Sequence, residues 1–282
     1  NISPDHLSRH GGMDGYVTAK RRIFRNQGPD DYAVIGVDDT RSGVMATQLS
    51  CEGLRRVIPI SAEYGLGRGV AVLEGKLQDS VAGRAEHPVD ITGAKALPGK
   101  HNHQNIAAAY AACRALGLEP GDILSAIETF PGLPHRLETI GTIDGVRFVN
   151  DSKATNAQAA EQAIRAFPNA WWIVGGRPKE EGIDDLVSLF GQIRKAYLIG
   201  ESTEAFARVM TGRLDHVKCR TLDVAVQNAF DDARAAGVEN PVVLFAPACA
   251  SFDQFRDFEQ RGAAFRQEAA KLVKRRTTTE PA

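Results

Sequence analysis

Apolar positions follow two different periods along this chain. In DGYVTAKRRIFRN, Tyr16, Ala19, Ile23 and Phe24 share one helical face, which predicts a helix over residues 14–25. The run DYAVIGVDD reads as a buried strand ending in Asp38 and Asp39. RSGVMATQLSCEG follows as a helix with Gly53 at its C-cap, and RRVIPIS as a second strand. Strand–helix–strand is the grammar of an α/β sheet. Between Gly65 and Leu97, GVAVLEGKLQDSV and HPVDITG are short β pieces broken by glycines, the pattern of an antiparallel hairpin edge. HNHQNIAAAYAACRALGL, closed by Gly117, and EPGDILSAIETF, with Pro120 in its first turn, are two further helices. PGLPHR then breaks the pattern, which divides the chain into domains 1–131 and 132–282.

The α/β alternation resumes in the second half. VRFVN, AWWIVGG, KAYLIG, VKCR and PVVLFAP read as strands. AQAAEQAIRAF, IDDLVSLFGQI, TEAFARVM and LDVAVQNAFDDARAAG read as the helices between them, and FDQFRDFEQRGAAFRQEAAKLV as one long closing helix. Five strands alternating with helices imply a mostly parallel, doubly wound sheet.

Composition narrows the function classes. The chain has 282 residues, enough for two ordinary domains, and a formal net charge of -1, which gives no reason to expect a nucleic-acid partner. The basic tail KLVKRRTTTE reads as a solvated helix end. Four cysteines form no C-x-x-C pair and fit a reduced, cytoplasmic setting. No apolar run approaches membrane-spanning length, so no membrane insertion is expected. NISPDHLSRH has no apolar signal core and no initiator Met, which reads as a chain truncated at its front.

Candidate chemistry gathers at strand ends, where open α/β sheets bind ligands. VNDSKATN follows one strand. Asp151 can accept from a ribose hydroxyl or a helix amide, Lys153 offers a cation for phosphate or carboxylate, and Thr155 or Asn156 can cap the next helix. A plain capping loop explains the same residues equally well. GGRPKEEG adds glycines for close backbone approach and the charge of Lys179. In PACASFDQF, Ser251 can cap the last helix and leave amides facing an anion. In the first half, LPGKHNHQN offers Asn102 and Asn105 three residues apart on one helix face, where paired carboxamides can read a purine edge. By default His6 reads as structural or exposed and Lys20 as a solvated charge. No G-x-x-x-x-G-K-[ST] loop and no G-x-S-x-G elbow is present.

These motifs, taken together, resemble the amide-forming ligases of peptidoglycan precursor synthesis, the Mur ligase family. The matching pieces are NISPDHLSRH, YVTAKRRI, LPGKHNHQN, GLPHRLE, VNDSKATN, GGRPK and PACASFDQFRDFEQRG, in that order and across essentially the whole chain. SFDQFRDFEQRG points to the D-glutamate-adding branch. The resemblance implies a partial central ATP-binding α/β domain followed by a Rossmann-like C-terminal domain. It implies ATP and Mg2+ as cofactors, UDP-N-acetylmuramoyl-L-alanine and D-glutamate as substrates, and a monomer. It further implies that the UDP-binding domain, the phosphate loop and a magnesium-holding glutamate lie outside this sequence, so the chain alone is expected to be a poor enzyme.

The roles carry over position by position. His6 matches a magnesium ligand, and Lys20 a lysine that is carbamylated into an oxygen ligand set. Asn102 and Asn105 match contacts to adenine, Arg136 and Asp151 contacts to the nucleotide. Lys153 and Thr155 match residues near the phosphate and D-glutamate, and Lys179, Ser251 and Phe258 positions that bind D-glutamate. Ser8 stands where the family commonly has an acid. The implied chemistry is formation of an acyl phosphate from ATP and attack on it by the D-glutamate amine. The alternatives are another muramyl or folylpolyglutamate-type ligase, against which SFDQF argues, and a non-catalytic nucleotide-binding fragment.

Overall fold

The computed structural model describes residues 1–4, 7–84, 86–178 and 182–277. The chain divides into two compact units, Asn1–Phe130 and Pro131–Ala282. In the first, α1 (Leu7–His10) and α2 (Met13–Arg21) lead into a 3-10 turn at Arg22–Phe24. The helix predicted over residues 14–25 thus tightens after Arg21, as helix ends commonly do. Then come β1 (Tyr32–Gly36), α3 (Thr40–Glu52), β2 (Arg56–Ser61), β3 (Val70–Leu73), β4 (Lys76–Asp79), β5 (Val89–Asp90), α4 (Lys100–Ala115) and α5 (Pro120–Thr129). Among the described residues the strands form one sheet in the order β1-β2-β3-β4-β5, parallel through β3 and antiparallel beyond it. α3 starts where the Asp39 carboxylate accepts the Ser42 amide at 2.8 Å and stops at Gly53, whose φ of 67° is left-handed. Met45 and Leu49 of α3 pack with Ala33 and Ile35 of β1, while Tyr110 of α4 and Ile123 of α5 pack with Ile58, Ile60 and Val72.

The second unit runs β6 (Glu138–Ile143), β7 (Val146–Asn150), α6 (Ala157–Ala166), β8 (Ala170–Gly175), a 3-10 segment (Asp184–Gln192) and β9 (Ile193–Ile199). It continues with α7 (Thr203–Met210), β10 (His216–Arg220), α8 (Leu222–Ala235), β11 (Val242–Phe245) and α9 (Phe258–Thr277). Strand order is β10-β9-β8-β11-β7-β6, with every neighbouring pair parallel except β6 with β7. The doubly wound sheet is therefore present. β6 is an edge strand that the alternation missed, because its side chains are mostly half-buried or exposed and leave a weak apolar signal.

Two helix predictions change. IDDLVSLFGQI is a 3-10 segment whose buried Leu186 and Leu189 are three residues apart, the spacing that a three-residue turn eclipses. The closing helix begins at Phe258, because residues 251–257 form turns in which the Ser251 carbonyl accepts the amides of Gln254 and Phe255. Asp257, not Ser251, caps α9, accepting the Gln260 amide at 2.7 Å.

α6, the 3-10 segment and α7 cover one face of this sheet through Ile164, Leu186, Leu189 and Phe206; α8 and α9 cover the other through Val226, Phe230 and Phe265. β11 lies between β8 and β7, and the helix after it goes to the opposite face from those after its two neighbours. This reversal makes the carboxyl end of β11 the topological switch point, where open α/β sheets bind ligands. Trp172 Nε1 donates to the Ala246 carbonyl at 2.8 Å and fixes the end of β11 against β8.

Candidate functional site

Three loops of the second unit leave the carboxyl ends of β7, β8 and β11, and a buried arginine ties two of them. Arg261, 1% exposed on α9, donates from Nε and one terminal nitrogen to the Ser152 hydroxyl (3.1 Å) and carbonyl (2.8 Å). Its other terminal nitrogen donates to the Cys249 carbonyl at 3.0 Å. Among the described residues it forms no ion pair with a carboxylate. Burial lowers its pKa to about 10, which still leaves it charged at neutral pH. The Ser152 hydroxyl also donates to the Phe258 carbonyl at 2.8 Å. Lys153 and Ser251 are thereby held through their chain neighbours to the same guanidinium.

Lys153 is half-buried, with Nζ 3.9 Å from the centroid of the Phe258 ring. Its amide donates to the His135 carbonyl at 3.1 Å, and the Thr155 amide returns to the Lys153 carbonyl at 2.8 Å. His135 meets Phe258 edge to face at 6.4 Å between centroids. Its Nδ1 lies 3.0 Å from the Asn150 carboxamide nitrogen, which also donates to the Gly262 carbonyl at 3.2 Å. His135, Leu137 and Ala248 all adopt left-handed φ (62°, 44° and 56°), a strain that residues with a Cβ adopt where the surroundings over-determine the backbone.

Asp151 is buried, and its carboxylate accepts the Leu137 amide at 3.3 Å rather than an amide of the following helix. Asn156 caps α6, accepting the Ala159 amide at 2.8 Å. Burial pushes the Asp151 carboxyl up to about 7, against the Leu137 hydrogen bond and the charge of Arg136, which both pull it down. The folded value lies above the unfolded one, so the native state keeps the proton up to about pH 7 whereas the unfolded chain releases it near ~4. Stability of this unit is therefore expected to fall between about pH 4 and 7, by on the order of 4 kcal/mol for this one group. Asp151→Asn should raise the melting temperature at pH 8 and change it far less at pH 4, close to the unfolded value. An equal change at both values would contradict this assignment.

Arg136 is exposed, and its guanidinium has no hydrogen-bond or ion-pair partner among the described residues. Ser251 is 2% exposed. Lys179 and His6 lie outside the described residues. The glycines after β8 serve the protein itself: a Cβ at Gly175 would sit 2.1 Å from the Ile199 carbonyl oxygen, and one at Gly176 would sit 2.5 Å from that of Ala250. This close approach is to neighbouring backbone.

In the first unit, Asn102 donates to the Pro98 carbonyl at 2.8 Å and accepts from Asn105 at 3.2 Å, so the two carboxamides are paired on α4. Lys20 is exposed at the end of α2, its Nζ 5.3 Å from the Tyr16 ring centroid, and no contact joins it to the asparagines. Asp38 accepts from the Ser61 hydroxyl, the Ala62 amide at 2.8 Å and the Gln104 carboxamide at 2.7 Å, and so ties β1, β2 and α4 at their ends.

Sequence reading assigned no role to Arg261, Ser152 or Asn150. A signal was available in Gly262. A glycine inside a helix costs about 1 kcal/mol relative to alanine and usually has a packing reason. Here a Cβ would lie 2.2 Å from His135 Nδ1. Phe258, Arg261 and Gly262 fall at helical spacing on the face of α9 that meets the loops.

Residues 1–113 match the Mur ligase middle domain, and residues 135–249 match the Mur ligase glutamate ligase domain. The chain belongs to the Mur ligase family. It is 56% identical over 266 residues to the UDP-N-acetylmuramoylalanine–D-glutamate ligase of Caulobacter vibrioides, covering 94% of this chain and 56% of that protein. With the enzyme of the same name from Phenylobacterium zucineum the identity is 53% over 273 residues, covering 97% and 58%. The fold is similar to the crystal structure of MurF from Acinetobacter baumannii, with a TM-score of 0.66 at 20% identity, covering 95% of this chain and 59% of that one. The chain spans a little over half the length of the curated relatives it matches.

Proposed function

We propose that this chain supplies the nucleotide-binding and amino-acid-binding parts of an ATP-dependent cytoplasmic ligase. The reaction joins D-glutamate to UDP-N-acetylmuramoyl-L-alanine in peptidoglycan precursor synthesis. The observation that carries this reading is identity of 56% and 53%, over 94% and 97% of the chain, to two enzymes named for that activity. The loops gathered by Arg261 support it from the physical side. A cytoplasmic setting fits the consumption of ATP and four cysteines that are all free. No helix among the described residues is long and apolar enough to cross a membrane.

A carboxylate is a poor acyl donor until one oxygen becomes a leaving group, which phosphorylation by ATP provides. The D-glutamate amine then attacks the acyl phosphate, and the tetrahedral adduct collapses to the amide with loss of phosphate. In this reading Lys153 pairs with a carboxylate of D-glutamate and with charge developing on the phosphoryl oxygens. Ser251 and Phe258 shape the amino-acid pocket, with Thr155 beside it, and Lys179 is a further residue proposed to bind D-glutamate. The exposed guanidinium of Arg136 suits a phosphate, and Asp151 suits a ribose hydroxyl. Asn102 and Asn105 face adenine.

His6 and Lys20 are the residues proposed for the metal region. Among the described residues no three His, Cys, Asp or Glu side chains come together to hold a metal ion. The described residues thus do not form a magnesium site by themselves, and no step above is routed through one.

Turnover of the full-length protein tests the reading. With ATP and UDP-N-acetylmuramoyl-L-alanine present, phosphate release should depend on D-glutamate. Release that ignores D-glutamate, or that another amino acid supports equally, would contradict it.

A further inference from the structure

Tyr32 opens β1 and Arg56 opens β2, at the far ends of these strands from Asp38 and Ser61. A cavity of about 680 Å³ lies there, lined by Tyr32, Arg55, Arg56, Arg68 and the apolar side chains of Val57 and Val81, among others. No acidic side chain lines it among the described residues. Arg55 is the unusual member. Its side chain is 4% exposed; one terminal nitrogen donates to Glu52 at 2.7 Å, but its buried Nε–H has no acceptor. Nε itself is enclosed by the protein, so what Arg55 offers a ligand is the charge of its guanidinium at the cavity wall.

The remaining cations are only partly engaged. Arg56 donates to the Tyr32 hydroxyl at 2.8 Å and lies 3.5 Å from exposed Asp30. Arg68 is exposed and has no partner among the described residues. Its loop closes onto β2 because Gly69 follows it: φ is 125°, and a Cβ there would sit 2.1 Å from the Pro59 carbonyl oxygen. That closure brings a third guanidinium to the wall of the cavity.

We propose that this cavity binds a small phosphate-bearing anion. The Arg68 fork donates to its oxygens, and Arg55 and Arg56 add charge from the wall and the rim. Guanidinium groups pair with phosphate through two parallel hydrogen bonds, which suits several forks around one space. The volume is that of a small-molecule site, and the apolar wall leaves room for the body of a phosphate ester.

Nitrogen-15 spectra of the arginine side chains test the proposal on the protein itself. Inorganic phosphate and ribose 5-phosphate are titrated separately at ionic strength held constant with chloride. A saturable shift of the Arg55 Nε–H resonance is expected. Tighter binding of ribose 5-phosphate would identify a phosphate ester as the ligand, and equal binding would identify phosphate alone. Arg68→Ala, at an exposed and unpaired position, should keep the fold and weaken binding roughly tenfold, the loss of about one charge-assisted hydrogen bond. No saturable shift with either probe, or wild-type affinity in Arg68→Ala, overturns the proposal.

Discussion

Lys153→Ala is expected to lower D-glutamate-dependent phosphate release by at least ~10²-fold, the typical loss when one well-placed donor to developing charge is removed. The fold should survive. The Lys153 amide bond to the His135 carbonyl belongs to the backbone and persists in the variant. The substitution removes the packing of the ammonium on the Phe258 ring, a partly exposed cation–π pair worth about 1 kcal/mol. Circular dichroism should match the parent protein, and the KM for D-glutamate should rise. Parental turnover in the variant would remove Lys153 from the mechanism.

Arg261→Lys is the second large effect, and here the expected loss falls on stability and activity together. An ammonium cannot span the Ser152 hydroxyl, the Ser152 carbonyl and the Cys249 carbonyl as the guanidinium fork does. Buried acceptors are left unmade, at about 1–3 kcal/mol each. A destabilisation of roughly 2–4 kcal/mol is expected, with a drop in turnover as the loops after β7 and β11 lose their common anchor. The chain's two tryptophans, Trp171 and Trp172, both lie on β8, so fluorescence in urea reports the second unit by itself. Ser152→Ala leaves the Ser152 carbonyl in place and should cost less, about 1 kcal/mol. Unchanged unfolding of Arg261→Lys would show that the guanidinium does not hold the loops.

Strand grammar was legible in the sequence because the buried strands are continuous apolar runs such as AWWIVGG and PVVLFAP, bounded by glycine and proline. β6 was less legible, since an edge strand with one partner and an exposed face has little apolar pattern to read. The start of α9 was obscured because Phe252, Phe255 and Phe258 are spaced like a helix face, whereas Phe252 is 63% exposed within the turns. At the site, the exposed and half-buried charges were visible as motif residues. Arg261 was not, because an arginine in a helix reads as a solvated charge until the fold shows that it is buried. His135 likewise depends on packing: only Gly262, more than a hundred residues away in sequence, makes room for its ring.

A crystal structure of the protein with D-glutamate bound tests the central claim most directly. The account predicts the ligand at the carboxyl ends of β7 and β11, with one carboxylate within ~3 Å of Lys153 Nζ and another beside Ser251. D-glutamate seated on any other part of the second unit, with Lys153 still resting on Phe258, would contradict it.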